Sequence, residues 1–158
     1  MGLRCSELCG LRWSDIDFES ATMYIKQALT ADGSKIYIDK PKSKNSIRKL
    51  PIPQELLTLL KNEPKENEYI AVLNGHHITP NSFGDIYIKA FYNAAKVPKE
   101  ERLAPHELRH TCGTLIYENT KDIYHVSRFL GHSDIGITTK TYVHSEFQQE
   151  KIHIHFEN

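Results

Sequence analysis

Apolar residues recur along this chain with two periods, and the change from one to the other divides it. Leu3, Leu8 and Leu11 fall at helical spacing and predict a short first helix. Trp13-Ser14-Asp15-Ile16-Asp17 reads as a turn around an anchoring aromatic. From Thr22 to Leu29 and from Lys35 to Asp39 apolar and polar positions alternate. That pattern predicts two half-buried strands joined by the hairpin loop Ala31-Asp32-Gly33-Ser34. Ile47 to Ile52 reads as a third strand, entered from a basic turn around Ser43 to Ser46.

Beyond Pro51 and Pro53 the period becomes helical. Leu56, Leu57, Leu59 and Leu60 form one stripe, which the acidic, proline-containing stretch Glu63 to Glu68 ends. Tyr69 to Leu73 is a short extended segment. Thr79-Pro80-Asn81-Ser82 is a helix start, followed by Phe83, Ile86, Tyr87, Ala90, Phe91 and Ala94 at burial spacing. Pro105 opens a helix through about Glu118. Asp122 caps another over Ile123 to Leu130, stopped by Gly131. Thr138 to Tyr142 and Glu146 to His155 also read as helical. The expected class is mainly α with a small three-stranded antiparallel sheet, an α+β fold in one domain over residues 1–158.

Composition narrows this only slightly. With 158 residues, 39% hydrophobic and 25% charged, the chain suits one globular domain. No run approaches the roughly 18–20 apolar residues of a membrane span, and the first residues do not form a signal peptide. Three cysteines, an odd number without a Cys-x-x-Cys pair, argue against a disulfide framework or zinc knuckle and for a reducing compartment. Twenty Lys+Arg balance twenty Asp+Glu, so the total does not describe a protein that coats polyanions. The distribution is less even. Lys40, Lys42, Lys44, Arg48 and Lys49 stand within ten residues with no acid beyond Asp39, a local basic finger that points to one anion contact. The plain alternative is a solvated basic turn.

Three clusters carry candidate chemistry. His106, Arg109 and His110 share a helix face at i, i+3 and i+4, in a first turn opened by Pro105, where free backbone N–H groups attract anions. A capping and surface hydrogen-bond cluster is the structural alternative. Gly131 lets a helix end and presents His132 just past it, with Thr138, Thr139 and Tyr142 following. Arg4 opens the first helix three residues ahead of Glu7, which by itself reads as an intrahelical ion pair. The pairs His76-His77 and His153-x-His155 lack an acidic ligand set at metal spacing, so neither a metal nor another cofactor is expected.

Taken together, Gly-Leu-Arg-Cys-Ser-Glu-Leu, Leu-Arg-Trp-Ser-Asp-Ile-Asp, the Lys-rich hairpin before Arg48-Lys49-Leu50-Pro51, Pro-His-Glu-Leu-Arg-His, Leu-Gly-His-Ser-Asp and Thr-Tyr-Val-His resemble the tyrosine recombinases, the phage-type integrases. They look most like integrases of Gram-positive phages and conjugative transposons. The likeness runs from Gly2 to about Ser145. It implies that Arg4, Lys42 (with Lys44 as a rival), His106, Arg109, His132 and Tyr142 are the catalytic set, and that Lys40, Lys44, Arg48 and Lys49 contact DNA. Tyr142 would attack a phosphodiester to give a 3′-phosphotyrosine and a free 5′-hydroxyl, and strand exchange would reverse the step without metal or nucleotide.

The likeness further implies double-stranded DNA as partner, a homotetramer on DNA with a monomer or weak oligomer in its absence, and a bacterial, DNA-associated, cytoplasmic setting. Residues 143–158 would form a tail that packs in trans. Such proteins carry further helices and a DNA-binding domain ahead of the first arginine. The chain therefore reads as an N-terminally truncated catalytic domain that recombines poorly alone, with a catalytically inactive DNA-binding remnant as the alternative.

Overall fold

The computed structural model describes residues 1–33, 35–40 and 44–142. Lys42 and the segment 143–158, with the helix expected over Glu146 to His155, lie outside the described residues. Helix α1, Cys5–Cys9, begins where the Glu7 carboxylate reaches back to accept the Arg4 backbone N–H at 2.9 Å. The same local device recurs twice, Asp15 on Arg12 N–H and Glu107 on Ala104 N–H. In each case an acid three residues into a turn satisfies a donor that the turn leaves unpaired.

A 3₁₀ turn at Trp13–Asp15 leads into β1 (Ile16–Asp17). β1 pairs antiparallel with β2 (Thr22–Ile25), which pairs antiparallel with β5 (Arg48–Pro51). This is the three-stranded sheet. Its inward face carries Met23, Ile25 and Leu50, which with Leu11, Ile16, Ile52 and Leu57 build the main core. On the outward face the Lys49 and Lys26 ammonium groups lie 5.1 and 5.3 Å from the Tyr24 ring centroid. Trp13 is half-buried at the rim, under the Lys65 ammonium, and does not anchor the core. Cys9 is buried, whereas Cys5 and Cys112 are half-buried.

The sheet differs from the expected one in its membership. The strand predicted over Thr22 to Leu29 breaks at Lys26-Gln27, where the Gln27 amide donates to the Gly10 carbonyl at 2.6 Å. The chain then leaves the sheet to form a separate ribbon, β3 (Ala28–Asp32) with β4 (Lys35–Asp39), packed on α1. Close approach to α1 is what redirects it: a Cβ on Gly10 would stand 2.9 Å from the Leu29 backbone nitrogen. Ala31 and Asp32 belong to strand, so the expected loop loses both to β3, and Gly33 follows at φ +58°.

Helix α2 (Gln54–Asn62) buries Leu57 on the sheet. A second small hairpin follows, β6 (Val72–Leu73) and β7 (His76–His77), turned by Asn74 and Gly75 at φ +51° and +78°. Asn-Gly favours such a turn, but strands of two residues carry no readable alternation. Helix α3 (Pro80–Ser82), capped by Thr79, runs through a wide π turn at Phe83–Tyr87 into α4 (Ile88–Ala94). Helix α5 (Pro105–Thr120) turns Arg109 and Gly113 inward. Asp122 Oδ1 caps α6 (Ile123–Leu130) by accepting N–H groups of Tyr124 and His125, and Gly131, at φ +68°, ends it. Helix α7 (Ile135–Tyr142) packs on α6. No helix among the described residues is long and apolar enough to cross a membrane.

Candidate active site

The end of α6 organises this region. An α-helix leaves its last carbonyls without intrahelical donors, and its C-terminus carries partial negative charge. Here three consecutive carbonyls each accept from a different arginine. Arg48 Nε donates to Phe129 O at 2.7 Å, Arg109 Nη2 to Leu130 O, and Arg4 Nη2 to Gly131 O at 3.1 Å. The next residue is His132. Three guanidiniums, from β5, from α5 and from the N-cap of α1, therefore converge on one helix end, drawn from sequence separations of 81, 21 and 127 residues.

Glu7 stands in the middle of them, 2% exposed. Its Oε1 accepts from Arg4 Nη1 at 2.8 Å and Arg48 Nη1 at 3.0 Å, and its Oε2 accepts from Arg48 Nη2 at 2.9 Å. Arg109 Nη1 lies 3.8 Å from Oε2 and donates to Gly2 O. Burial alone would raise the Glu7 pKa. The hydrogen bonds and charge of Arg48, joined by Arg4, outweigh that and hold it below the usual value. One carboxylate among three guanidiniums leaves the cluster strongly cationic. Sequence reading treated Glu7 only as a pair for Arg4. The available signal was its spacing: Glu7 follows Leu3 and precedes Leu11 by four residues, so an acid shares the inward face of a short helix and requires buried cations.

His132 is half-buried, and its Nδ1 lies 2.7 Å from the Thr138 hydroxyl of α7, which is fully buried. Its pKa is pushed down to about 4, first by burial and then by the positive charges of Arg109, Arg4, His110 and Arg48. At neutral pH it is an uncharged imidazole. Sequence reading named Thr138 among the residues following His132 but gave it no role, since nothing local distinguishes it from Thr139. On α5, His106 Nε2 and His110 Nε2 are 2.8 Å apart.

Arg4, Arg109 and His132 are thus brought together, while His106, exposed on α5, touches His110. Tyr142 closes α7, but only its backbone is described, and the same holds for Lys44. Lys40 and Lys49 are exposed. Arg48 is not. Its side chain is 6% exposed and sealed against Glu7 and Phe129 O, so it belongs to the buried cluster and not to the exposed basic surface. The pleat explains this correction, because Arg48 lies two residues before Leu50 and shares its inward face while Lys49 points out. A cleft of about 360 Å³ lined by Asn45, Ile47, Arg48, Ser127, Arg128 and His132 opens beside the cluster.

Comparison with known proteins bears on this arrangement. Residues 1–149 match the model of the phage integrase family. A protein described as tyrosine recombinase XerC-like from Caldanaerobacter subterraneus is 35% identical over 90% of this chain and 42% of its own length. Tyrosine recombinase XerA of Pyrococcus furiosus is 34% identical over 87% of this chain and 44% of its own length. The chain therefore spans less than half the length of these curated relatives. Among solved structures, the Tn1549 transposon integrase in complex with transposon right end DNA superposes with a TM-score of 0.74 and 26% identity, covering 94% of this chain and 54% of that one.

Proposed function

The chain belongs to the phage integrase family, and from that membership we propose that it is the catalytic part of a site-specific tyrosine recombinase, cutting and rejoining double-stranded DNA through a 3′-phosphotyrosine. The observation that carries the reading is the seating of Arg4 and Arg109 on the two carbonyls immediately before His132. Arg4 and His132, both partly exposed, and the buried charge of Arg109 are fixed relative to each other before any DNA arrives.

A phosphodiester approaching five-coordination gathers charge on its non-bridging oxygens. Arg4 and Arg109 remain charged throughout; Arg4 offers N–H donors to those oxygens, while Arg109, 4% exposed and already donating to Gly2 O and Leu130 O, adds its positive charge beside them. Arg4, with a side chain 38% exposed, uses two N–H donors in its contacts to Glu7 and Gly131 and keeps the rest for a ligand. If the Thr138 hydroxyl donates to Nδ1 of His132, the imidazole proton resides on Nε2, and the neutral ring serves as a hydrogen-bond donor to phosphate. One aimed donor is worth roughly 10²–10³ in rate, so this set supplies much of the charge stabilisation that the reaction needs.

Tyr142 supplies the nucleophile. An ordinary tyrosine phenol costs about 4 kcal/mol to ionise at neutral pH, and His106 accepts that proton as the oxygen attacks phosphorus. The P–O5′ bond breaks, and the departing oxygen takes a proton from the hairpin lysine, Lys42 or Lys44. The phosphotyrosine conserves the bond energy, so a 5′-hydroxyl of a partner strand can reverse every step. Lys40 and Lys49 contact backbone phosphates, and the working assembly is a homotetramer on DNA.

Nicked duplexes of randomised sequence, which lose a short fragment once cut, test this. Mixed with the 158-residue chain they should accumulate protein covalently joined to DNA 3′ ends, and Tyr142→Phe should remove the adduct. Absence of adduct at every salt concentration would overturn the reading.

A further inference from the structure

His110 has no role in the chemistry above, yet it touches the proposed base directly. Its Nε2 lies 2.8 Å from Nε2 of His106, with ring centroids 4.3 Å apart and planes at 86°. The i, i+4 spacing on α5 stacks the two side chains one turn apart. A contact of this length between ring nitrogens is a hydrogen bond that holds one proton, since one nitrogen must donate and the other accept.

Two arrangements exist, and they differ in what they leave on the far side of His106. If His110 donates, the Nε2 lone pair of His106 is consumed and its Nδ1 already carries hydrogen, so His106 cannot act as a base. If His106 donates, its Nδ1 retains a lone pair. When Nδ1 then takes a proton, the resulting imidazolium keeps its Nε2–H on an acceptor. Only the second arrangement lets His106 accept a proton without breaking a contact.

We propose that His110 is a positioning residue that accepts the Nε2–H of His106 and so presents Nδ1 of His106 as the acceptor for the Tyr142 phenol proton. The role rests on the assignment of His106 and Tyr142 made above. The surroundings of His110 keep it able to accept. Burial, then His106, then Arg109 hold its pKa below the ordinary value against the opposing pull of Glu107, so His110 enters the contact uncharged and with a lone pair to offer. In the forward step the phenol proton moves to His106 Nδ1, the tyrosine oxygen bonds to phosphorus and the 5′-oxygen leaves with the lysine proton. His110 neither gains nor loses a proton.

Nitrogen-15 histidine NMR on the free 158-residue chain reads the arrangement directly. The expected result is His106 as the Nε2–H tautomer, with N–N coupling across the contact to His110. His110→Asn offers a carbonyl to the same N–H and should keep that tautomer, whereas His110→Leu should lose it. In the nicked-duplex assay His110→Leu should slow adduct formation by roughly 10–100-fold, part of the 10²–10⁴ that a positioned base contributes, and His110→Asn should restore most of the rate. A His106 Nδ1–H tautomer, or equal adduct rates for wild type and a folded His110→Leu, overturns the positioning role and leaves the recombinase reading standing. No adduct from wild type overturns that reading and this role with it.

Discussion

Replacing Glu7 by Gln would leave the Arg48 guanidinium, 6% exposed, without a counter-charge in the core. Breaking a buried pair by removing one partner costs about 3–5 kcal/mol, and chemical denaturation of Glu7→Gln should show a loss of that order. The same carboxylate makes stability depend on acid. Its pKa is lower folded than unfolded, so its contribution is complete above the unfolded value and disappears as pH falls through the folded one. His132 acts in the same direction at higher pH. With an ordinary value of 6.5 depressed to about 4, the unfolded chain takes up a proton that the folded chain refuses. Stability should therefore decline from about pH 6.5 to pH 4, and His132→Asn should flatten that part of the denaturation profile.

Among the elements, α6 is the one on which the site depends, because its last carbonyls seat the arginines. Gly131 permits this ending. A Cβ there would meet Arg48 Nη1 at 2.9 Å and the Asn45 carbonyl at 3.1 Å, in a backbone at φ +68° that side chains resist. Gly131→Ala should cost roughly 1–3 kcal/mol through backbone strain and displace Arg48, measurable as a lower melting temperature. Both ends of α6 were readable beforehand, since an Asp cap and a terminal glycine act within a few residues. The hairpins were less so. Whether the chain continues as strand through Lys26-Gln27 depends on Gly10, seventeen residues away, and alternation alone cannot register that contact.

At the scale of the whole molecule the formal charge is zero, so the proposed attraction to DNA would come from a local surface. The placement of neighbours in β5 makes this testable. Lys49 is exposed and Arg48 is sealed inside. Lys49→Ala should reduce the slope of log affinity against log salt by about 1, as loss of one phosphate contact does. Arg48→Met should leave that slope unchanged and appear instead as lost stability. A basic run in a sequence counts both residues alike, although the pleat of the strand separates them.

The chain's own order of residues determined the helix ends, the apolar stripes and the spacing of Arg4, His106, Arg109, His132 and Tyr142, because caps, periods and motifs are short-range properties. It also contained the inward placement of Arg48 and Glu7, once each is counted from its apolar neighbours. Only the tertiary structure decided that three arginines would share one helix end and one carboxylate. It also decided that Thr138 would take Nδ1 of His132. Those contacts join residues from different elements, and which donor reaches which carbonyl is fixed by packing of whole elements against each other.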